Sequence, residues 1–166
     1  MRGSDRALPV RGRRAIVPAM RELVLAVPSW LAEGRRVAVA AVLETWGSAP
    51  RRPGALMAVA DDGRMAGSVS GGCVEAAVAD AARSMLGAAA RSQESGPRRL
   101  DFDVADENAL AVGLACGGRV AIQLAAWPRA AWERLLARAE LRAPIEIVWL
   151  AEDADGSEGP AEAWFV

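Results

Sequence analysis

The stretch Gly67-Ser68-Val69-Ser70-Gly71-Gly72-Cys73-Val74-Glu75 constrains the fold more than any other. Residues 64–69 read as a strand. Gly71-Gly72 interrupts it, permitting positive φ and a close backbone approach. Val74, Ala77, Val78, Ala81 and Met85 then mark one helical face that ends near Gly87. A strand must therefore pass through a glycine elbow into a helix. Ser70 reads as its N-cap, which puts Cys73 at the third helical position. Ser68 and Ser70 flank Val69 at strand spacing, so their hydroxyls face one side. Upstream, Asp61-Asp62-Gly63 joins residues 55–60 and 64–69 as a hairpin.

The rest of the chain is arranged around this unit. Met20, Leu23, Val24, Val27 and Leu31 predict a helix that Gly34 stops. Pro28 predicts a kink or a break into two short helices. Residues 36–45, small and β-branched, predict a buried strand. Trp46 to Gly54 holds two prolines and two glycines and is read as an irregular loop. Either it forms a binding rim, or it is a surface connection whose Trp plugs the core. Residues 98–104 alternate as a half-exposed strand, and Asp106 to Val112 begins a short helix. A second elbow, Gly113-Leu114-Ala115-Cys116-Gly117-Gly118, reverses the order of Cys and Gly-Gly. Residues 119–127 predict a strand, Pro128 a first helical position, Ala131 to Ala139 a helical face, and Ile145 to Leu150 a last strand. Helices and strands are intermixed around a clear hairpin. The expected class is α/β, α+β-like, with helices packed on a mixed sheet. Residues 1–16 are read as a disordered arm, 17–150 as one domain and 151–166 as an acidic tail or linker stub.

What the chain lacks narrows its chemistry. It has no His, Lys or Tyr. That excludes His-based triads and dyads, His-ligated zinc, a Walker lysine and Schiff-base catalysis. Arg is left as the anion clamp. The two cysteines, Cys73 and Cys116, make neither a disulfide framework nor a four-thiolate metal site. With a net charge of −1, no overall field draws the chain to nucleic acid or membrane. No stretch approaches a membrane span, and the basic start lacks an apolar signal core. The expected compartment is the cytoplasm, where thiols stay reduced.

Backbone N–H groups at a strand–helix elbow bind anions and stabilise a thiolate. Glu75 lies close enough to receive a proton or to hydrogen-bond a donor. Buried Cys and Gly-Gly turns are also commonly structural. Two cysteines beside two Gly-Gly pairs favour one shared pocket. The elbow has no G-x-G-x-x-G and no following Lys-Ser/Thr, so it is not a nucleotide fingerprint.

Glu44 to Gly54, Gly67 to Glu75 and Val112 to Gly118 together resemble the N-terminal domain of the XdhC/CoxI family, accessory factors of xanthine dehydrogenase and related molybdenum hydroxylases. The resemblance spans about Leu31 to Ala126. It implies a chaperone that binds the molybdenum cofactor (molybdopterin), protects it while an oxo ligand is exchanged for sulfide, and helps insert it into the apo molybdenum hydroxylase. A cysteine desulfurase would supply the sulfur. Carried onto this chain, the implied contacts are Ser48, Arg51, Arg52, Gly54, Ser68, Ser70, Gly71, Gly72, Cys73, Cys116, Gly117 and Gly118. Cys73 and Cys116 are the candidate molybdenum-side ligands, because a soft thiolate suits that metal. Many family members continue into a second, Rossmann-like domain. Handover here would then need a separate Rossmann-domain XdhC-like protein or a homodimer. Two rival functions remain at this stage: a sulfur transferase with a Cys73 persulfide, in which Cys73 and Glu75 would be catalytic, and a non-catalytic docking subunit.

Overall fold

Val37–Trp46 form β1, the central strand of a five-stranded sheet. The computed structural model describes residues 18–47, 49, 51–89, 96–103 and 118–140. The other elements are α1 (Pro18–Ala32), β2 (Leu56–Ala60), β3 (Met65–Gly67), α2 (Glu75–Ala89), β4 (Arg98–Asp103), β5 (Arg119–Trp127) and α3 (Arg129–Glu140). Sheet order is β3-β2-β1-β5-β4. The α/β class and the hairpin are as expected. Every described strand pair is antiparallel, so the parallel pairs a mixed sheet would include are not among them.

β1 is central because both its faces are apolar. Ala38, Ala40 and Val42 point into a cluster with Met57, Val59, Ile122 and Leu124, covered by Val78, Ala82 and Met85 of α2. Val37, Val39 and Ala41 point into a second cluster, covered by Leu23, Val27 and Leu31 of α1 and by Trp132 and Leu135 of α3. The result is three layers, with α2 on one face and α1 with α3 on the other. The alanines of β1 are fully buried. Their small size lets helices approach from both sides, and each buried Val, Leu or Met contributes about 1.5–3 kcal/mol. A bulge between Val42 and Glu44 shifts the register of β1 on β5.

α1 runs through Pro28 as one helix rather than two. Pro28 lies on the exposed side, so the carbonyl it leaves without a donor can face water, while Leu23, Val27 and Trp30 hold the helix to the sheet. Gly34 stops α1 as expected. Its φ is +76°, and the bonds Gly34 N–H to Leu31 O (3.0 Å) and Arg35 N–H to Trp30 O (2.9 Å) form a Schellman motif. The β2–β3 hairpin turns at Asp61-Asp62-Gly63, closed by Gly63 N–H to Ala60 O at 2.9 Å with Gly63 at φ +92°. Pro128 caps α3 rather than occupying its first position, because its carbonyl accepts from Ala131 and Trp132. No described helix is long and apolar enough to cross a membrane. The terminal segments, the expected 106–112 helix and the expected 145–150 strand lie outside the described residues.

Candidate functional site

The elbow begins two residues earlier and ends later than its sequence implies. β3 stops at Gly67 and α2 starts at Glu75. The first bond of the helix runs from Val78 N–H to Val74 O (3.0 Å), which makes Val74 the capping residue. Ser70 is therefore not the N-cap, and Cys73 precedes the helix instead of sitting on its first turn. The reason is backbone geometry. Gly71 and Gly72 have φ of +92° and +126°, outside any helix, so the helix cannot start until they are passed.

Glu75 replaces the expected cap with a different device. Its Oε1 accepts from Ser68 Oγ (2.6 Å) and from the N–H groups of Val69 (3.1 Å), Ser70 (2.9 Å) and Gly71 (3.0 Å). Its Oε2 accepts from Ser70 Oγ and from Gly72 N–H (2.9 Å). Each hydroxyl also accepts: Ser68 Oγ from Gly71 N–H (2.9 Å) and Ser70 Oγ from Val74 N–H (3.0 Å). The two serines thus face one side, as their spacing predicts. Four consecutive amides wrap the chain's own carboxylate as a nest would wrap an anion. Burial pushes the Glu75 carboxyl up, but the Ser68 and Ser70 hydroxyls and the backbone donors outweigh it and bring it down to about 2. A carboxylate so held is a poor proton acceptor near neutral pH. Its geometry serves the hydrogen-bonding half of the expectation.

Cys73 is half-buried and packs against the cluster under α2, which also holds Val69, Val74, Phe102 and Val120. The loop after β1 is exposed at Trp46, Arg51, Arg52 and Gly54. Trp46 is 47% exposed, so it does not plug the core and the rim alternative remains. Gly54 N–H bonds Val42 O (2.8 Å), folding this loop back along β1. Ser48, Cys116 and Gly117 lie outside the described residues, and Gly118 is half-buried just before β5.

The sheet brings the loop after β1, the first elbow and the start of β5 to one end but staggers them. Gly67 pairs with Met57, and Met57 with Ala40, whereas Arg119 pairs with Trp46 and with Asp103. From Ala40 to Trp46 is six residues, or roughly 20 Å of strand. The elbow and the start of β5 thus leave the same end at different heights. Among the described residues no group of three or more Cys, Asp or Glu could hold a metal ion. The feature that sequence reasoning missed is the nest of four amides that closes on the Glu75 carboxylate. A Glu three residues after Gly-Gly is its only linear trace.

The model of the XdhC and CoxI family matches residues 30–103, a span that includes the first loop and the first elbow and stops before the second. A relative, the molybdenum cofactor insertion chaperone PaoD of Escherichia coli (strain K12), is 38% identical over 95 residues, covering 57% of this chain and 27% of that protein. The chain thus spans about a quarter of that relative's length. A crystal structure described as a xanthine dehydrogenase from Bacillus halodurans matches with a TM-score of 0.57 at 22% identity, over 71% of this chain and 34% of that one. The likeness bears on the fold.

Proposed function

We propose that the chain, whose residues 30–103 match the model of the XdhC and CoxI family, binds molybdenum cofactor as cargo and helps deliver it to an apo molybdenum hydroxylase. The observation that carries this reading is the placement of Cys73. It is half-buried on a pinned elbow, at the sheet end where Trp46, Arg51 and Arg52 are exposed. A similar protein, PaoD, is a molybdenum cofactor insertion chaperone by name.

The donor set fits such a cargo in part. A soft thiolate at Cys73, with Cys116 as its partner, suits the metal end. Arg51 and Arg52 suit the phosphate. The elbow amides are already taken by Glu75. On this reading Gly71 and Gly72 shape the loop, and phosphate binding falls to the arginines. A cysteine desulfurase supplies sulfur, and a Rossmann-domain partner or a second copy completes handover in the cytoplasm. The sulfur-transferase alternative needs a proton acceptor beside Cys73, and Glu75, held at about 2, suits that role poorly.

The test is retention. The protein is purified with molybdenum cofactor present, and bound molybdenum and pterin are measured. Wild type is expected to retain both, and the Cys73→Ala, Cys116→Ala double variant to lose them. Equal retention by the two would sink the proposal. A protein that binds no cofactor yet captures a hydroxylase subunit would favour a docking role instead.

A further inference from the structure

Cys73 is pinned from both sides by one carboxylate. The residue before it, Gly72, donates its N–H to Glu75 Oε2 at 2.9 Å. The residue after it, Val74, donates its N–H to Ser70 Oγ at 3.0 Å, and that hydroxyl in turn donates to Glu75 Oε2. Val69 and Val74 are buried, anchoring the loop to the core on either flank. The positive φ values of Gly71 and Gly72 set the chain direction into Cys73. The thiol-bearing residue therefore has little freedom that does not first break a bond to Glu75 or to Ser70.

We infer that Glu75 is a positioning residue that restrains Cys73, through Gly72 on one side and through Ser70 and Val74 on the other, and so sets how readily the thiol meets a soft electrophilic or metal cargo. The identity of the cargo rests on the cofactor reading; the restraint does not. A glutamine at position 75 keeps one acceptor oxygen but turns an NH2 toward the Gly72 N–H and the Ser70 hydroxyl. The loop should then open and expose Cys73.

The experiment is iodoacetamide alkylation of the cofactor-free chain, with peptide mass spectrometry to resolve Cys73 from Cys116. Glu75→Gln is expected to speed alkylation of Cys73 by about fivefold, the scale of one lost hydrogen bond, and to change Cys116 by less than about twofold. Ser68→Ala, which removes one donor to the same carboxylate, should give a smaller rise and serves if Glu75→Gln does not fold. Val78→Ala lies in the core under α2 and controls for general loss of stability. An unchanged Cys73 rate in Glu75→Gln or, should that variant not fold, in Ser68→Ala overturns the inference. So does an equal rise in Val78→Ala. Molybdenum retention is measured in parallel. Faster Cys73 alkylation with no retention by wild type upholds the restraint and sinks the cofactor reading; retention by wild type with an unchanged rate does the reverse.

Discussion

Gly67 has no room for a side chain: a Cβ there would lie 2.3 Å from Leu56 O and 2.9 Å from Leu23 Cδ1, at a φ of +82°. Its N–H also donates to Glu22 Oε2 at 3.0 Å, tying β3 to α1. Gly34 has a similar φ, +76°, but open space around it. Gly34→Ala should therefore cost only the left-handed backbone penalty, about 1–2 kcal/mol. Gly67→Ala adds a clash with backbone and should cost roughly 3 kcal/mol or more. Urea unfolding of the two variants checks the ranking, and equal midpoints would refute it. Glu75 makes a different prediction, about pH. Against burial, hydrogen bonds from Ser68 and Ser70 lower its carboxyl from 4.5 to about 2 on folding. The folded state thus binds this proton less tightly than the unfolded chain. Its contribution is full above the unfolded value and drains as pH falls toward the folded one. Glu75→Gln should be less stable than wild type near neutral pH and should lose less stability on acidification. Urea midpoints measured at about pH 6 and about pH 3, either side of the ordinary glutamate value, test this. Parallel pH slopes in the two proteins would mean that Glu75 does not titrate as described.

At the scale of elements, α3 is hydrogen-bonded to β1 by one buried side chain. Trp132 is fully buried, donates Nε1–H to Val37 O at 3.1 Å, and packs against Trp127 with ring centroids 4.9 Å apart. Arg129 adds a bond to Leu31 O at 2.7 Å, on the last turn of α1. Trp132→Phe keeps an aromatic ring but leaves the Val37 carbonyl without this donor. It should cost roughly 1–3 kcal/mol, read as a lower thermal midpoint with unchanged far-UV circular dichroism. A shift under about one degree would show that the bond contributes nothing. α3 was legible in the sequence from its helical apolar period, and β1 from an unbroken small and β-branched run buried on both faces. α1 was legible too; of the two readings at Pro28, a kink or a break, only the break is ruled out, with Leu23, Val27 and Trp30 packing the helix on both sides of the proline. The start of α2 was misplaced by four residues for a physical reason. Ser70 has the chemistry of a cap, but two positive-φ glycines delay the helix, and the loop's donors turn to Glu75. A glycine pair announces unusual φ in a linear sequence. The target on which the surrounding N–H groups converge is set by three-dimensional closure and has no local signature. For the same reason the elbow and Glu75 could be found as candidates, while the closure of four amides and two hydroxyls on that one carboxylate could not.

The whole molecule separates two ends. At one end β1 finishes, β5 starts, and the Trp46–Gly54 loop and the elbow emerge. At the other lie Glu33, Arg35, Arg36, Asp61, Asp62 and Arg64, joined by ion pairs that include Arg64 to Glu33 at 2.5 Å and to Asp62 at 2.8 Å. Arg64 also lies 5.7 Å from the ring of Trp30. The ten residues of β1, about 30 Å of strand, separate this cluster from Trp46, and the elbow starts between the two, level with Ala40. If cargo binds at the loop end, charge at the far end should not matter to it. Arg64→Ala should change stability little, since the ion pairs it makes are exposed, and should leave cofactor retention unchanged. Arg51→Ala with Arg52→Ala should have the opposite profile. Both side chains are exposed, so stability should hold. A lost charge-assisted bond to phosphate is worth about 1.5–3 kcal/mol, which corresponds to a roughly ten- to hundredfold loss of affinity. The contrast between the two variants is the informative quantity, because both remove arginine charge from the same small protein. Equal loss of retention in both would point to a general electrostatic effect. Loss in Arg64→Ala alone would place the cargo at the end of the sheet away from Arg51 and Arg52.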